Sequence, residues 1–375
     1  MLPPPSQAAH LKIQKYETWM YDAFSRSYKA LRSDGRFVVV FAHKNPEAWG
    51  TLVAAIIRAG FVVRSSWPIQ TEMTNRGRAQ SSAALASSVW LVCSKRLLLG
   101  KPGWDNVVFQ RMRESISIQL RTFWDAGIRG PDFVWAATGP ALESYSEHPV
   151  VKKANSPGES LSVSEFLRDV RRIVVDFVVG QVLTQSGAEA ISGLDDVTTY
   201  YILHRYDFQM GESPRGACIL YAISCGLTDR ELTDRYDLLV RTGGQDSDED
   251  DEAAEEAEDE PEETGASSGS KVRLKPWNQR FRKNLGLDGE NRTAPLIDQA
   301  HRLMHLWKAG DVIKVDESLD ARALRTNRLF AQLLQALIEL APASSEERSV
   351  LESLSNHLKS RGEAQEQKQL RLQHT

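Results

Sequence analysis

The stretch from Arg36 to Arg96 constrains the fold of this chain more than any other. Arg36-Phe37-Val38-Val39-Val40-Phe41-Ala42-His43-Lys44 is an apolar run that stops at a polar tip. A helix-patterned segment follows, then Gly60-Phe61-Val62-Val63-Arg64-Ser65-Ser66-Trp67-Pro68-Ile69, then a third apolar run from Ala83 to Lys95. The order strand, helix, strand, strand predicts the closing half of an open α/β sheet whose opening half is not in this sequence. The run from Phe37 lacks polar alternation, which predicts helices over both of its faces. The last two runs are expected to pair antiparallel at the edge of a mostly parallel sheet.

Local signals divide the rest. Leu11, Ile13, Tyr16, Met20, Ala23, Phe24, Tyr28 and Leu31 trace one helical stripe, closed by Ser33-Asp34-Gly35, where Gly35 suits a left-handed cap. Asn45-Pro46-Glu47 reads as a helix start, and Gly60 as the stop of a helix over Ala48 to Ala59. Thr71 to Ser82 is a polar loop. Further helices are expected over Trp104 to Arg121, over Val163 to Leu183 behind a Ser162/Glu165 capping box, and over Asp195 to Arg205 and Arg215 to Cys225. Ile128 to Tyr145 carries Gly139-Pro140, read as a break. Tyr236 to Arg241 reads as a short strand. Ala294 to Trp307, Ala321 to Leu340 and Ser344 to Leu358 read as three closing helices, with a fraying tail from Lys359. The expected organisation is residues 1–100 as the α/β half-domain, 101–243 as a mainly helical extension, 244–270 as an acidic disordered linker, 271–360 as a helical bundle and 361–375 as the tail.

Charge is unevenly placed. The net charge is −4, but Asp246 to Glu263 holds 13 acidic residues and no basic ones. Outside it the balance is 46 − (50 − 13) = +9, a mildly basic body compatible with a nucleic-acid partner. The acidic tract reads as a solvating linker. The three cysteines, Cys93, Cys218 and Cys225, form no Cys-x-x-Cys pair, which argues against a disulfide framework and a zinc site. No run reaches the roughly 20 apolar residues that span a bilayer, and Met1-Leu2-Pro3-Pro4-Pro5 lacks the pattern of a secretion signal. A cytoplasmic protein with no membrane partner is expected. There is no Gly-x-Ser-x-Gly, Walker or His-Glu-x-x-His motif, so hydrolase and nucleotide-triphosphatase readings have no support.

The ordered phrases Phe41-Ala42-His43-Lys44, Glu47-Ala48-Trp49, Ala59-Gly60-Phe61, Trp67-Pro68-Ile69-Gln70-Thr71-Glu72 and Ala84-Leu85-Ala86-Ser87-Ser88 resemble the later region of the large prokaryotic adenine-specific DNA methylase family, some members of which are described as containing a zinc ribbon. Gly139-Pro140-Ala141-Leu142-Glu143, Leu194-Asp195-Asp196 to Tyr201, and Leu296-Ile297-Asp298 to His305-Leu306-Trp307 extend the likeness over most of the chain. The resemblance implies an incomplete doubly wound, Rossmann-like methyltransferase sheet followed by mainly helical regions. It also implies S-adenosylmethionine as cofactor, DNA as partner and methyl transfer to the exocyclic amine of a flipped adenine. The family's glycine loop, its Asp-Pro-Pro-Tyr or Asn-Pro-Pro-Tyr loop and its cysteine-rich ribbon are absent. No catalytic, cofactor-binding or metal residue is therefore assigned to this chain. The expectation is the carboxyl-terminal part of such an enzyme, dependent on an upstream-encoded chain with the cofactor half. The alternative is a non-catalytic binding or scaffold protein, or a gene remnant, that retains the half-fold.

Seven residues are candidates for a substrate- or DNA-facing surface, each with a plainer reading beside it. His43 and Lys44 follow a strand end, where ligands of open α/β sheets bind. His43 lines a cleft or merely caps the strand, and Lys44 meets a phosphate. Trp67 stacks on a base or packs under the loop. Thr71 follows it, and Glu72 bonds a base edge or is solvated. Arg76 and Arg78 contact phosphate or sit in an ordinary polar loop. Arg168, Arg171 and Arg172 read as a solvated helix face, and Cys218 and Cys225 as buried thiols.

Overall fold

A computed structural model of the chain describes residues 5–41, 46–69, 88–96, 101–156, 158–185, 193–242, 271–289 and 292–358. The architecture is mixed α/β, mainly helical with small sheets. It forms two compact units, one within Met1–Val174 with Arg215–Leu220, the other within Val175–Pro214, Tyr221–Thr242 and Lys271–Thr375. Among the described residues no helix is long and apolar enough to cross a membrane. The acidic tract and the tail from Lys359 lie outside the described residues.

In the first unit, α1 (Pro5–Ala30) leads into β1 (Arg36–Phe41), α2 (Pro46–Arg58), β2 (Phe61–Ile69) and β3 (Ser88–Lys95). Gly60 ends α2 with a φ of +97°, a left-handed conformation that favours glycine. Gly35 is not left-handed, contrary to expectation. Its amide bonds Arg32 O at 3.1 Å, and a Cβ there would stand 2.7 Å from Leu31 Cδ1. Gly35 is thus a matter of space rather than of handedness.

The strand order is β1-β3-β2, with β3 antiparallel to both neighbours. The antiparallel strand expected at an edge therefore lies in the middle. Strands β1 and β2 run parallel through the crossover helix α2, one strand apart, and β3 fills the gap between them. Among the described residues only one face of β1 is covered, where two were expected. Phe37, Val39 and Phe41 turn towards α1 and α2, with Phe24 edge-on to Phe37 at 5.7 Å and Phe41 edge-on to Trp49 at 4.9 Å. Val38 and Val40 stand on the other face and are exposed. Valine occupies both faces, so the run hides an alternation that its chemistry does not display.

Behind β2 lie β4 (Gly103–Trp104), α3 (Asp105–Asp125), α4 (Pro131–Ser146), β5 (Val151–Lys152) and α5 (Val163–Gln185). Helix α4 continues through Pro140, so the expected break does not occur. The proline leaves Ala136 O without its helical donor, and Ser66 Oγ supplies one at 2.8 Å. The capping box forms as expected: Glu165 N bonds Ser162 Oγ at 3.2 Å and Ser162 N bonds Glu165 Oε2 at 2.9 Å. Trp49 stacks on Trp135 at 4.3 Å in the core between α2 and α4.

The second unit holds α6 (Asp196–Phe208), β6 (Ser213–Pro214), a π-helical turn (Glu231–Arg235) and β7 (Leu239–Thr242), the expected short strand, while α7 (Arg215–Ser224) lies in sequence between β6 and that turn with its residues to Leu220 in the first unit. Then come β8 (Lys271–Leu274), a 3-10 turn (Trp277–Gln279), α8 (Leu296–Lys308), α9 (Val312–Ala321), α10 (Arg328–Leu340) and α11 (346–358). The small sheet is ordered β6-β8-β7. The single helix expected over Ala321 to Leu340 gives way to α10 alone, because α9 ends at Ala321 and Asn327 caps α10 by accepting from Phe330 N at 3.1 Å. Arg325 tethers the intervening turn to Asp316 and Asp320. Asp195 and Thr198 cap two helices at once. Asp195 accepts from Thr198 N and Leu296 N, both at 2.9 Å, and Thr198 Oγ1 accepts from Ile297 N at 3.0 Å.

Candidate functional site

Among the described residues one face of the three-stranded sheet has nothing packed over it, and its large side chains are apolar. Pairing places Val40 opposite Trp90 and Trp90 opposite Trp67; the next row is Val38, Val92 and Ser65. Val40 and Trp67 are each 53% exposed, Val38 45% and Trp90 38%. Large apolar side chains in a contiguous row mark a surface that another body covers. Among the described strands β1 pairs with β3 alone. An edge strand with apolar side chains offers its backbone to a further strand.

Phe41 and Pro68 share a row through Val89, so the carboxyl ends of the parallel β1 and β2 lie side by side. Trp67 stands at that end and is half exposed. Of the seven candidates it alone is described. His43, Lys44, Thr71, Glu72, Arg76 and Arg78 lie outside the described residues. At the opposite end, Arg64 bulges out of register between Val63 and Ser65 and bonds Ser94 Oγ at 2.9 Å and Glu143 at 2.8 Å. Arg96 ties the end of β3 to Ser146 O at 2.7 Å and Phe61 O at 3.2 Å.

A cofactor of the size of S-adenosylmethionine needs backbone that it can approach closely, which glycine provides. The tightly packed glycines described here are already filled from within. A Cβ at Gly50 would meet Ser164 Oγ at 2.2 Å, one at Gly103 the His148 ring at 2.6 Å, and one at Gly139 Ser66 N at 2.3 Å. Among the described residues no group of three or more His, Cys, Asp or Glu is placed to hold a metal.

Two buried histidine clusters in the second unit have the look of chemistry without its access. Tyr200, His204 and Ser213 form a chain, with Tyr200 Oη 3.1 Å from His204 Nδ1 and Ser213 Oγ 3.3 Å from His204 Nε2. Ser213 donates its proton to Val272 O at 2.7 Å. The hydroxyl therefore accepts from the imidazole, the reverse of an activated nucleophile. Burial lowers His204 to about 4, so the ring is neutral. The second cluster centres on Arg280, which donates to Asp298 at 2.6 Å, Tyr236 O at 2.7 Å, His301 Nδ1 at 2.7 Å and Asp237 O at 3.1 Å. Both clusters are sealed from solvent and brace the fold.

Arg171 departs from the solvated face expected of it. It is buried, its Nε has no partner, and burial followed by the neighbouring Arg168 draws its guanidinium down to about 10. Cys218 and Cys225 are buried thiols outside any disulfide, as is Cys93.

One surface escaped the sequence reading. Lys271 to Lys283 carries six basic residues, Trp277 and Phe281, and no acid. The signal was a basic run with interleaved aromatics, hidden because the neighbouring acidic tract dominates the local charge. Phe281 is 75% exposed, the highest of the large apolar side chains described.

No family model, no curated protein and no solved structure matches this chain.

Proposed function

We propose that this chain is the carboxyl-terminal segment or subunit of an S-adenosylmethionine-dependent adenine-specific DNA methyltransferase, inactive without a partner carrying the catalytic motifs. One observation carries the reading: the sheet is open on the apolar face of Val38, Val40, Trp67 and Trp90, and β1 has a strand on one side only among the described residues. Strands β1 and β2 share one direction, stand one strand apart around β3 and are joined through the crossover helix α2, a connection of the kind that open α/β sheets use. It supports placing this sheet at the closing end of an incomplete doubly wound, Rossmann-like domain. The partner contributes the glycine loop, the Pro-Pro-Tyr loop and further strands. Trp67 is the described candidate for a DNA contact, and His43, Lys44, Thr71, Glu72, Arg76 and Arg78, which follow β1 and β2 in sequence, are the further candidates for an encounter in the cytoplasm.

The test is calorimetry with S-adenosylmethionine on the chain alone, on a polypeptide bearing the two missing loops, and on their mixture. Cofactor binding and adenine methylation in the mixture alone support the reading. Failure of the mixture to bind returns the chain to a non-catalytic scaffold, and unaided methylation by the chain refutes the need for a partner.

A further inference from the structure

We infer that the second unit carries a stacking platform for single-stranded nucleic acid, built on Phe281 and the cations around it. This goes beyond the methyltransferase reading and does not depend on it. Phe281 does not stand alone. Its ring lies 5.3 Å from His305, whose ring lies 5.1 Å from Trp277, so three rings form a short ladder with the outermost in solvent. Lys308 Nζ lies 5.5 Å from the centre of the Trp277 ring.

The backbone beneath is held firmly. Arg280, directly before Phe281, is fully buried and spends its guanidinium on four acceptors. His305 Nε2 lies 3.1 Å from Arg280 O. An apolar ring is thus fixed outward on rigid backbone, which lowers the ordering cost of stacking a base on it. Arg282 and Lys283 follow at once, both exposed. Arg282 Nη1 donates to Arg235 O at 3.0 Å, which brings the backbone of Arg235, itself exposed, against Arg282. Its ion pair with Asp237 is long, at 3.8 Å, and that of Arg235 with Glu231 is 3.6 Å. Exposed pairs of this kind exchange readily for phosphate. Lys283 has no ion pair among the described residues.

An aromatic face beside clustered cations matches a polynucleotide, whose bases carry the ring faces and whose backbone carries the charge. Single strands fit and duplexes do not, because paired bases hide their faces in the stack. The ring reads no base edge, so little sequence preference is expected.

The experiment is fluorescence anisotropy of the full chain with a labelled oligothymidylate of about 16 nucleotides, its ribo-counterpart and a duplex of equal length, at about 50 and about 200 mM salt. Binding of either single strand in preference to the duplex is expected. Phe281→Ala should weaken it about 5- to 100-fold, and Phe281→Trp should restore it. Arg282→Ala with Lys283→Ala should lower the salt slope by about 1.4. The side chains are exposed, so unchanged melting verifies each variant. No single-strand binding at low salt, an unaltered affinity for Phe281→Ala, or equal binding of polyglutamate would overturn the proposal.

Discussion

Ser66 donates its hydroxyl proton to Ala136 O at 2.8 Å, replacing the bond that Pro140 is unable to give. The same oxygen accepts from Gly139 N at 2.9 Å. One serine on β2 thereby satisfies the carbonyl orphaned by a proline within α4 and accepts from the amide just before it. Gly139 makes the approach possible, since any Cβ there would stand 2.3 Å from Ser66 N. Ser66→Ala leaves two buried groups unsatisfied, and a loss of about 1–3 kcal/mol is expected in urea unfolding. Gly139→Ala should cost more, because backbone has to move. A neutral Ser66→Ala would show that water takes over the serine's role.

The open sheet face predicts self-association of the isolated chain. Val38→Lys together with Val40→Lys should give a monomer in sedimentation velocity at a concentration where the unaltered chain associates. Stability should shift by less than about 1 kcal/mol, since both side chains already face solvent. A monomeric unaltered chain would mean that this face is not adhesive.

Acid should weaken the second unit earlier than carboxylate titration alone. Burial lowers His204 from the usual 6.5 to about 4. His301 shifts the same way, through burial first and then Arg280. Unfolded imidazoles take protons near pH 6.5 and the folded ones resist, so this stability is complete above that pH and drains away towards pH 4. For His204 the loss is roughly 3 kcal/mol. His204→Gln should flatten the slope of unfolding free energy against pH in this window. A flat slope in the unaltered protein would contradict the assignment.

Arg280 is the costliest side chain to lose in the second unit. Arg280→Ala strands the Asp298 carboxyl and two carbonyls in the interior, and about 3–5 kcal/mol is expected from chemical denaturation. Arg280→Lys should recover only part of it, because an ammonium does not reproduce a planar fork to four acceptors.

The capping box offers a milder case. Glu165 is held down to about 2, first by Ser162 N and next by Lys153. Its folded value lies below the unfolded one, so its contribution is present above pH 4.5 or so and fades towards pH 2. The side chain is over a third exposed, so Glu165→Ala should cost only about 1 kcal/mol in thermal melts. A loss several times larger would point to a wider role for the Lys153 pair.

Much of the local structure was legible. Ser162 and Glu165 at box spacing, Gly60 after an apolar helix, and Asp195 before α6 each act within one turn of chain. Their geometry follows from neighbours in sequence. The exposure of Trp67 was not legible, because whether a strand residue faces helix or solvent depends on what covers the sheet. The burial of Arg171 was hidden for the same reason. Phe281 was overlooked although its basic surroundings were in plain view, since only its outward orientation separates it from an ordinary core phenylalanine.

Sequence alone determined that Gly60 stops α2, that Ser162 and Glu165 cap α5, and that β2 and β3 pair antiparallel. These depend on residue chemistry over a few positions. Only the tertiary structure decided that β3 lies between β1 and β2, that α4 survives its proline, and that one sheet face stays bare. Each of those rests on a partner far away in the chain: Val92 opposite Val38, Ser66 beneath Ala136, and no described residue over Val40. Long-range pairings of this kind are settled by the free energy of burial and hydrogen bonding in the whole fold, which no local window contains.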